Sequence, residues 1–119
     1  MQLILLERDI VIAEDIAEIV RGVFELPQVM IVASVEAACA ALEAADSAWD
    51  AVMLHGTSEE IGNDRLRSLL TGRGLPAIVT GAGDRVDLPP GWTRLPIPFT
   101  TEDLATLLQR ILPHRPIAG

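Results

Sequence analysis

Short apolar runs alternate with longer amphipathic segments from one end of the chain to the other. Each run is too short to be a helix, and the first four are apolar throughout, which is typical of strands buried on both faces of a sheet. Strands that alternate with helical segments predict repeated β–α units and a parallel sheet. The runs are Leu3–Leu6, Val29–Ala33, Ala51–Leu54, Ala77–Val79 and a weaker Trp92–Leu95.

Four of the intervening segments repeat apolar residues at three- and four-residue spacing, the period of an amphipathic helix. Side chains suited to helix caps precede the last three of them, and glycine or proline follows the first, third and fourth. The first predicted helix ends near Leu26–Pro27 and has an apolar stripe of Ile12, Ile16, Ile19, Val20, Val23 and Phe24. The second is capped by Ser34, the third runs from Thr57–Ser58 to Gly72, and the fourth runs from Thr100–Thr101 to Pro113.

The segment between Thr80 and Trp92 differs from the other connections. It is rich in glycine and proline, which leave room for little more than one helical turn around Asp84–Asp87. We therefore expect the helix of the fourth crossover to be shortened or missing.

Length and charge exclude several classes of protein. A chain of 119 residues fits one domain over residues 1–119. The net charge of −8 and the absence of any lysine exclude a surface built to bind nucleic acid. No apolar stretch approaches the ~18 residues of a membrane span, and the single Cys39 cannot form an internal disulfide. We therefore expect a cytoplasmic protein without membrane contact.

Polar residues follow the predicted strands at the edge where parallel α/β sheets bind ligands. The pattern resembles the receiver domain of bacterial response regulators. A receiver has an acidic pair after its first strand, a phosphoacceptor Asp ending the third, a Thr or Ser ending the fourth, and Lys-Pro-Phe ending the fifth. The matching segments here are Leu3–Asp9, Asp50–His55, Pro76–Thr80 and Leu95–Phe99. The resemblance implies an α/β, flavodoxin-like (βα)5 doubly wound parallel sheet with strand order 2-1-3-4-5.

The resemblance also implies that the phosphorylation pocket is degenerate. His55 stands at the phosphoacceptor position, Ile97 at the lysine and Arg8 at the second acid, whereas Glu7 and Thr80 match. Phosphoryl transfer to a carboxylate needs a nucleophilic Asp, a divalent cation and a balancing positive charge. We therefore expect no enzymatic activity, no cofactor and the loss of magnesium binding.

Three pocket residues each have a structural and a functional interpretation, and the structural one is preferred. His55 either fills the vacated acceptor position or acts as a phosphohistidine or metal ligand. Arg8 is either solvated or replaces the metal by pairing with Glu7 or Asp9. Thr80 either completes a buried strand or binds a phosphoryl group.

Two features are expected around the fifth strand. The family often has a cis bond before its proline, so we expect Ile97–Pro98 to be cis. The segment around Leu88 and Trp92, with Arg94, is a candidate interface on the face formed in receivers by the fourth helix, fifth strand and fifth helix. A loop with Trp92 packed beneath it is the alternative.

These observations favour an atypical stand-alone receiver that signals by phosphorylation-independent protein–protein interaction. The expected partner is a histidine kinase, another regulator or a second copy of the chain, with a homodimer through that same face. The alternative is a small-anion or nucleotide-sensing domain that uses the pocket near Arg8, His55 and Thr80.

Overall fold

The structure is a computed structural model that describes residues 1–44, 48–81 and 87–112. Its elements follow the predicted alternation of strands and helices. The strands are β1 (Gln2–Leu6), β2 (Gln28–Val32), β3 (Ala51–His55), β4 (Ala77–Thr80) and β5 (Trp92–Arg94), and the helices are α1 (Ile10–Val23), α2 (Val35–Glu43), α3 (Ser58–Ile61), α4 (Asp64–Gly72) and α5 (Thr101–Ile111).

All five strands form one parallel sheet in the order β2-β1-β3-β4-β5. This confirms the predicted flavodoxin-like (βα)5 arrangement. Helix α1 packs beside α5 and α2 packs beside α4. Successive residues of a strand point to opposite faces, so Leu3 and Leu5 enter one apolar cluster while Ile4 and Leu6 enter the other. The sheet therefore separates two aliphatic cores, and its central strands are buried on both faces.

Helix α1 buries a slightly different stripe from the predicted one. Asp9 caps the helix. Its buried residues are Ala13, Ile16, Ala17, Val20 and Val23, and both alanines are fully buried. Ile12 was predicted to be buried but is 41% exposed. The buried face of the helix is therefore centred on the alanines and Ile16, and Ile12 lies outside it.

The predicted third helix is two helices, which corrects the sequence-based prediction. Gly62 ends α3, and the side chain of Asn63 accepts the Leu66 N–H at 3.0 Å to begin α4. The apolar spacing alone did not reveal this break, because Ile61 and Leu66 are both buried in the same cluster.

The fourth crossover is described only in part. Residues 87–91 contain no helix, which agrees with the expected loss, and residues 82–86, including most of the predicted helical turn, lie outside the described residues. The strand that follows, β5, ends at Arg94, one residue earlier than predicted.

Of the four strands that were predicted to be buried on both faces, β2 is the one that lies at an edge of the sheet. Its residues are partly exposed up to Val32, and Met30 is 44% exposed. The expectation that this strand would be buried on both faces is therefore wrong, because it has a strand on one side only.

Cys39 is buried in α2, as its small apolar surroundings predicted. Burial raises the pKa of its thiol, while the nearby Arg65 guanidinium partly opposes that rise. Among the described residues, no helix combines the length and apolar character needed to cross a membrane.

Candidate functional site

The loops that carry the candidate residues meet at the carboxyl edge of the sheet, because all five strands run in the same direction. Glu7 follows β1 directly, His55 is the last residue of β3, and Thr80 is the last residue of β4. His55 and Thr80 occupy the same register position on neighbouring strands. The structure therefore brings these three predicted residues to one place.

Glu7 is the buried centre of the site. It is 5% exposed, and its backbone N–H donates to the Val32 carbonyl at 3.0 Å. Its Oε1 lies 2.5 Å from Nδ1 of His55, and its Oε2 accepts the Asp9 N–H at 3.1 Å. Both carboxylate oxygens therefore have donors supplied by the protein, as a buried carboxylate requires.

His55 is held in one orientation by this contact. The contact joins a carboxylate oxygen to a ring nitrogen, and it is a hydrogen bond from the imidazole when Nδ1 carries the proton. The other edge of the ring faces Gly81, where a Cβ would lie 2.7 Å from Nε2. Gly81 also has φ +81°, a conformation that suits glycine. The ring thus fits between Glu7 and a backbone position that admits no side chain.

Asp9 serves the helix. Its Oδ1 accepts the N–H groups of Val11 and Ile12 at 2.9 and 3.3 Å, which satisfies two of the free donors at the start of α1. The second acid of the loop is thereby committed to a structural role.

Arg8 is half exposed and pairs with Glu60 of α3, not with Glu7 or Asp9, the two partners that its functional interpretation named. Glu60 also accepts the Thr57 N–H at 2.9 Å in a capping box. Gly56 leaves room for this carboxylate, because a Cβ there would lie 2.9 Å from Glu60 Oε1. Arg8 therefore ties the loop after β1 to the loop after β3.

The two remaining pocket positions have no charge. Thr80 is buried at 3% exposure, as its position at the end of a buried strand predicted. Ile97, at the position that the sequence resemblance aligns with a lysine, is an apolar side chain that is 56% exposed. The Ile97–Pro98 peptide bond is cis, the isomer expected from the sequence.

The candidate interface residues differ in exposure. Trp92 is 8% exposed and lies beneath the Arg67 guanidinium, which is 5.6 Å from the ring centroid. Leu88 packs against the same apolar cluster. Trp92 is therefore packed inside and is not an exposed anchor. Arg94 lines a groove of about 500 Å³ between β5 and α5, together with Glu102, Asp103 and Arg110.

Sequence reasoning identified the residues of the site and missed two of the contacts. Glu60 was not selected, although Thr57 and Glu60 have the spacing of a capping box, a signal that places the glutamate beside its loop. Gly81 lies in the glycine- and proline-rich segment after Thr80, and its contact with the His55 ring was not predicted. Among the described residues, no group of three or more His, Cys, Asp or Glu side chains is arranged to hold a metal ion.

The comparisons with known proteins agree with the topology. No protein-family model matches the chain, and no curated protein sequence matches it. Solved structures do match over nearly the whole length. A response regulator receiver protein from Sinorhizobium medicae has a TM-score of 0.75 at 18% identity and covers 95% of this chain and 94% of its own.

Two further structures give the same result. A CheY-like receiver domain from Methanospirillum hungatei has a TM-score of 0.67 at 16% identity, with 94% of this chain and 93% of its own covered. The receiver domain of a Francisella response regulator has a TM-score of 0.66 at 14% identity, with 94% and 96% covered. The chain therefore has the fold of a response-regulator receiver domain.

Proposed function

We propose that this chain is a receiver-like signalling domain that acts by binding a protein partner, independently of aspartyl phosphate. The observation that carries the proposal is the contact between Glu7 Oε1 and His55 Nδ1 at 2.5 Å. In this proposal the imidazole of His55, held by Glu7, stands where a receiver has its nucleophilic carboxylate. The proposal includes that the chain is not an enzyme and that it acts in the cytoplasm.

The loss of magnesium binding is part of the proposal. Magnesium requires several oxygen ligands in near-octahedral geometry. Both oxygens of Glu7 accept hydrogen bonds from the protein, and Asp9 caps α1. A cation at this edge competes with those donors for the carboxylate oxygens and finds few other oxygen ligands, so the residues present do not fit the ion.

The charge around the pocket supports the same proposal. A phosphoryl group carries negative charge that a receiver balances with a lysine, whereas this chain has Ile97 at that place and no lysine at all. The nearest cation of the loop, Arg8, is already paired with Glu60. This pairing also disfavours the alternative of a small-anion or nucleotide sensor, since such a ligand has to compete with Glu60 for the guanidinium.

The exposed surface near the pocket supports a protein partner. Ile10 and Val11, on the first turn of α1, are 63% and 67% exposed, and Ile97 at the same edge of the sheet is 56% exposed. Apolar side chains of this size at a sheet edge suit a protein surface better than a small polar ligand. The partner we propose is a histidine kinase, another regulator or a second copy of the chain. The groove beside Arg94 is a second candidate surface.

A phosphodonor experiment tests the proposed function. The protein is incubated with acetyl phosphate and magnesium, and its intact mass is measured, with a receiver that has an acceptor Asp as the positive control. We expect no mass increase, because the acceptor carboxylate is replaced and the pocket does not fit the cation. A gain of one phosphate located on His55 would refute the proposal, because it would make the imidazole a phosphoacceptor.

A further inference from the structure

The outer edge of β2 has backbone groups that no described strand satisfies. Strand β2 pairs with β1 on one side and ends the sheet on the other. Gln28 donates its N–H to the Met1 carbonyl at 2.8 Å, and the Val32 carbonyl accepts the Glu7 N–H. The residues that bond a neighbouring strand alternate along β2. Val29 and Ile31 therefore direct their N–H and C=O groups away from β1, toward the free edge.

The strand itself lacks two of the features that usually protect a sheet edge from association. Proteins commonly place lysine, other charged residues or proline on such strands. The segment Gln28–Val32 has no charged residue and no proline. Met30, on the strand, is 44% exposed, and Leu26, two residues before the strand begins, is 88% exposed. The edge therefore presents free backbone groups together with apolar side chains.

We propose that β2 pairs antiparallel with β2 of a second copy of the chain, about a two-fold axis through Met30. Val29 and Ile31 are equally spaced on either side of Met30, so Val29 of one copy lies opposite Ile31 of the partner subunit. Each such pair closes with reciprocal N–H···O bonds. The two Met30 side chains meet across the axis and lose their exposure to water. A two-fold interface requires this kind of self-complementary surface.

The register follows from the backbone, and this favours a second copy as the occupant. The strand has an odd number of residues, five, and its two outward-facing residues flank the central one. An identical strand running in the opposite direction therefore satisfies every outward group at once. The side chains of Val29 and Ile31 already pack against the core shared with α1 and α5, so pairing extends that apolar surface into the second copy.

The charges of the chain predict how dimerisation through β2 depends on salt, and this dependence distinguishes it from dimerisation through another face. Each copy has a net charge of −8, so two copies repel one another, while the paired strand itself is uncharged. Added salt screens the repulsion and leaves the backbone bonds in place, so dimerisation strengthens with ionic strength. The groove between β5 and α5 has charges of both signs at Arg94, Glu102 and Arg110. A dimer through that face would be weakened by salt, which separates the two arrangements. The inference does not depend on the proposed function.

Sedimentation equilibrium of the full chain at low and high sodium chloride tests the proposal. We expect a monomer–dimer equilibrium that shifts toward dimer at high salt. Met30→Lys should raise the dissociation constant at least ~10-fold, because it places two like charges on the axis. Ile12→Lys is the matched control, since Ile12 is 41% exposed, lies on α1 and makes the same charge change. This control should dimerise as the wild type does.

Hydrogen exchange provides a second measurement that does not depend on a variant folding. Raising the protein concentration should slow exchange of the Val29 and Ile31 amides, whereas the Gln28 amide, already bonded to the Met1 carbonyl, should change little. The proposal is overturned by a monomer under all conditions, by a dimer that Met30→Lys leaves intact, or by a dimer that salt weakens.

Discussion

Glu7 is the residue on which the site depends, because it is a buried carboxylate with two different donors. Its Oε1 contacts His55, and its Oε2 accepts the Asp9 N–H. In this structure the acid orients an imidazole and the start of α1.

Glu7→Gln tests whether both oxygens are needed. An amide has one acceptor and one donor end, so the substitution leaves either the Asp9 N–H or the His55 ring facing a second donor. We expect the free energy of unfolding to fall by about 1–3 kcal/mol in urea denaturation. Glu14→Gln, on the exposed face of α1, is the control and should have little effect. Equal effects of Glu7→Gln and Glu14→Gln would argue against a structural role for the two carboxylate oxygens of Glu7.

At the scale of residues, the sequence indicated which side chains gather and did not indicate how they pair. The strand ends predicted that Glu7, His55 and Thr80 lie close together, because parallel strands end at one edge. It could not predict that Arg8 reaches Glu60, since that contact depends on where α3 begins. Side-chain pairing is decided by distances of a few ångströms, which apolar periodicity does not encode.

Among the secondary-structure elements, the turn after β4 limits what the site can contain. Gly81 has a positive φ, and the His55 ring lies against it. The backbone conformation and the packing at this turn therefore impose separate requirements for glycine, and they can be separated experimentally.

Gly81→Ala should destabilise the protein by two effects. A left-handed conformation costs a non-glycine residue about 1–2 kcal/mol, and the new Cβ also displaces the His55 ring. Gly74→Ala is the control, because Gly74 has φ +64° with no atom within 4 Å of its Cβ position. In a His55→Ala background, the Gly81 substitution should cost no more than the Gly74 substitution, measured by urea denaturation. An unchanged excess cost in that background would mean that the ring is not the obstacle.

The elements that sequence reasoning misjudged share a physical cause. The third helix is divided because local caps at Gly62 and Asn63 override an apolar stripe that continues through them. Strand β2 is partly exposed because it is placed at the edge of the sheet, and composition does not distinguish an edge strand from a central one. Both outcomes depend on neighbours, whereas strand and helix type were predictable from the chain itself.

For the whole molecule, the charge distribution sets the behaviour in solution. The net charge of −8 lies on a compact domain with a radius of gyration of 13.2 Å. The described ion pairs Arg8–Glu60 and Arg65–Glu43 involve partly or largely exposed arginines and contribute little stability. Repulsion between acidic groups therefore outweighs surface attraction.

Thermal unfolding should reveal that balance. We expect the melting temperature to rise by a few degrees, roughly 2–5 °C, when salt is raised from about 10 mM to about 0.5 M at a concentration that keeps the chain monomeric. The Met30→Lys variant serves as the control, because it should show the same rise without dimerising. A melting temperature that falls with salt would indicate that the ion pairs are the larger effect.

The overall architecture was predictable because five apolar runs separated by amphipathic segments permit few arrangements. The strand order came from the resemblance to receivers, and the sheet confirms it. The two-sided core follows from the same alternation, because each central strand must bury both faces.

The close fit of His55 between Glu7 and Gly81 restricts what position 55 can hold. An aspartate there sets a second carboxylate beside a buried one and removes the ring that lies against the turn. The chain has no lysine to offset the added charge, and Arg8 is already paired with Glu60. A change of charge at position 55 therefore needs compensating substitutions at several neighbouring positions.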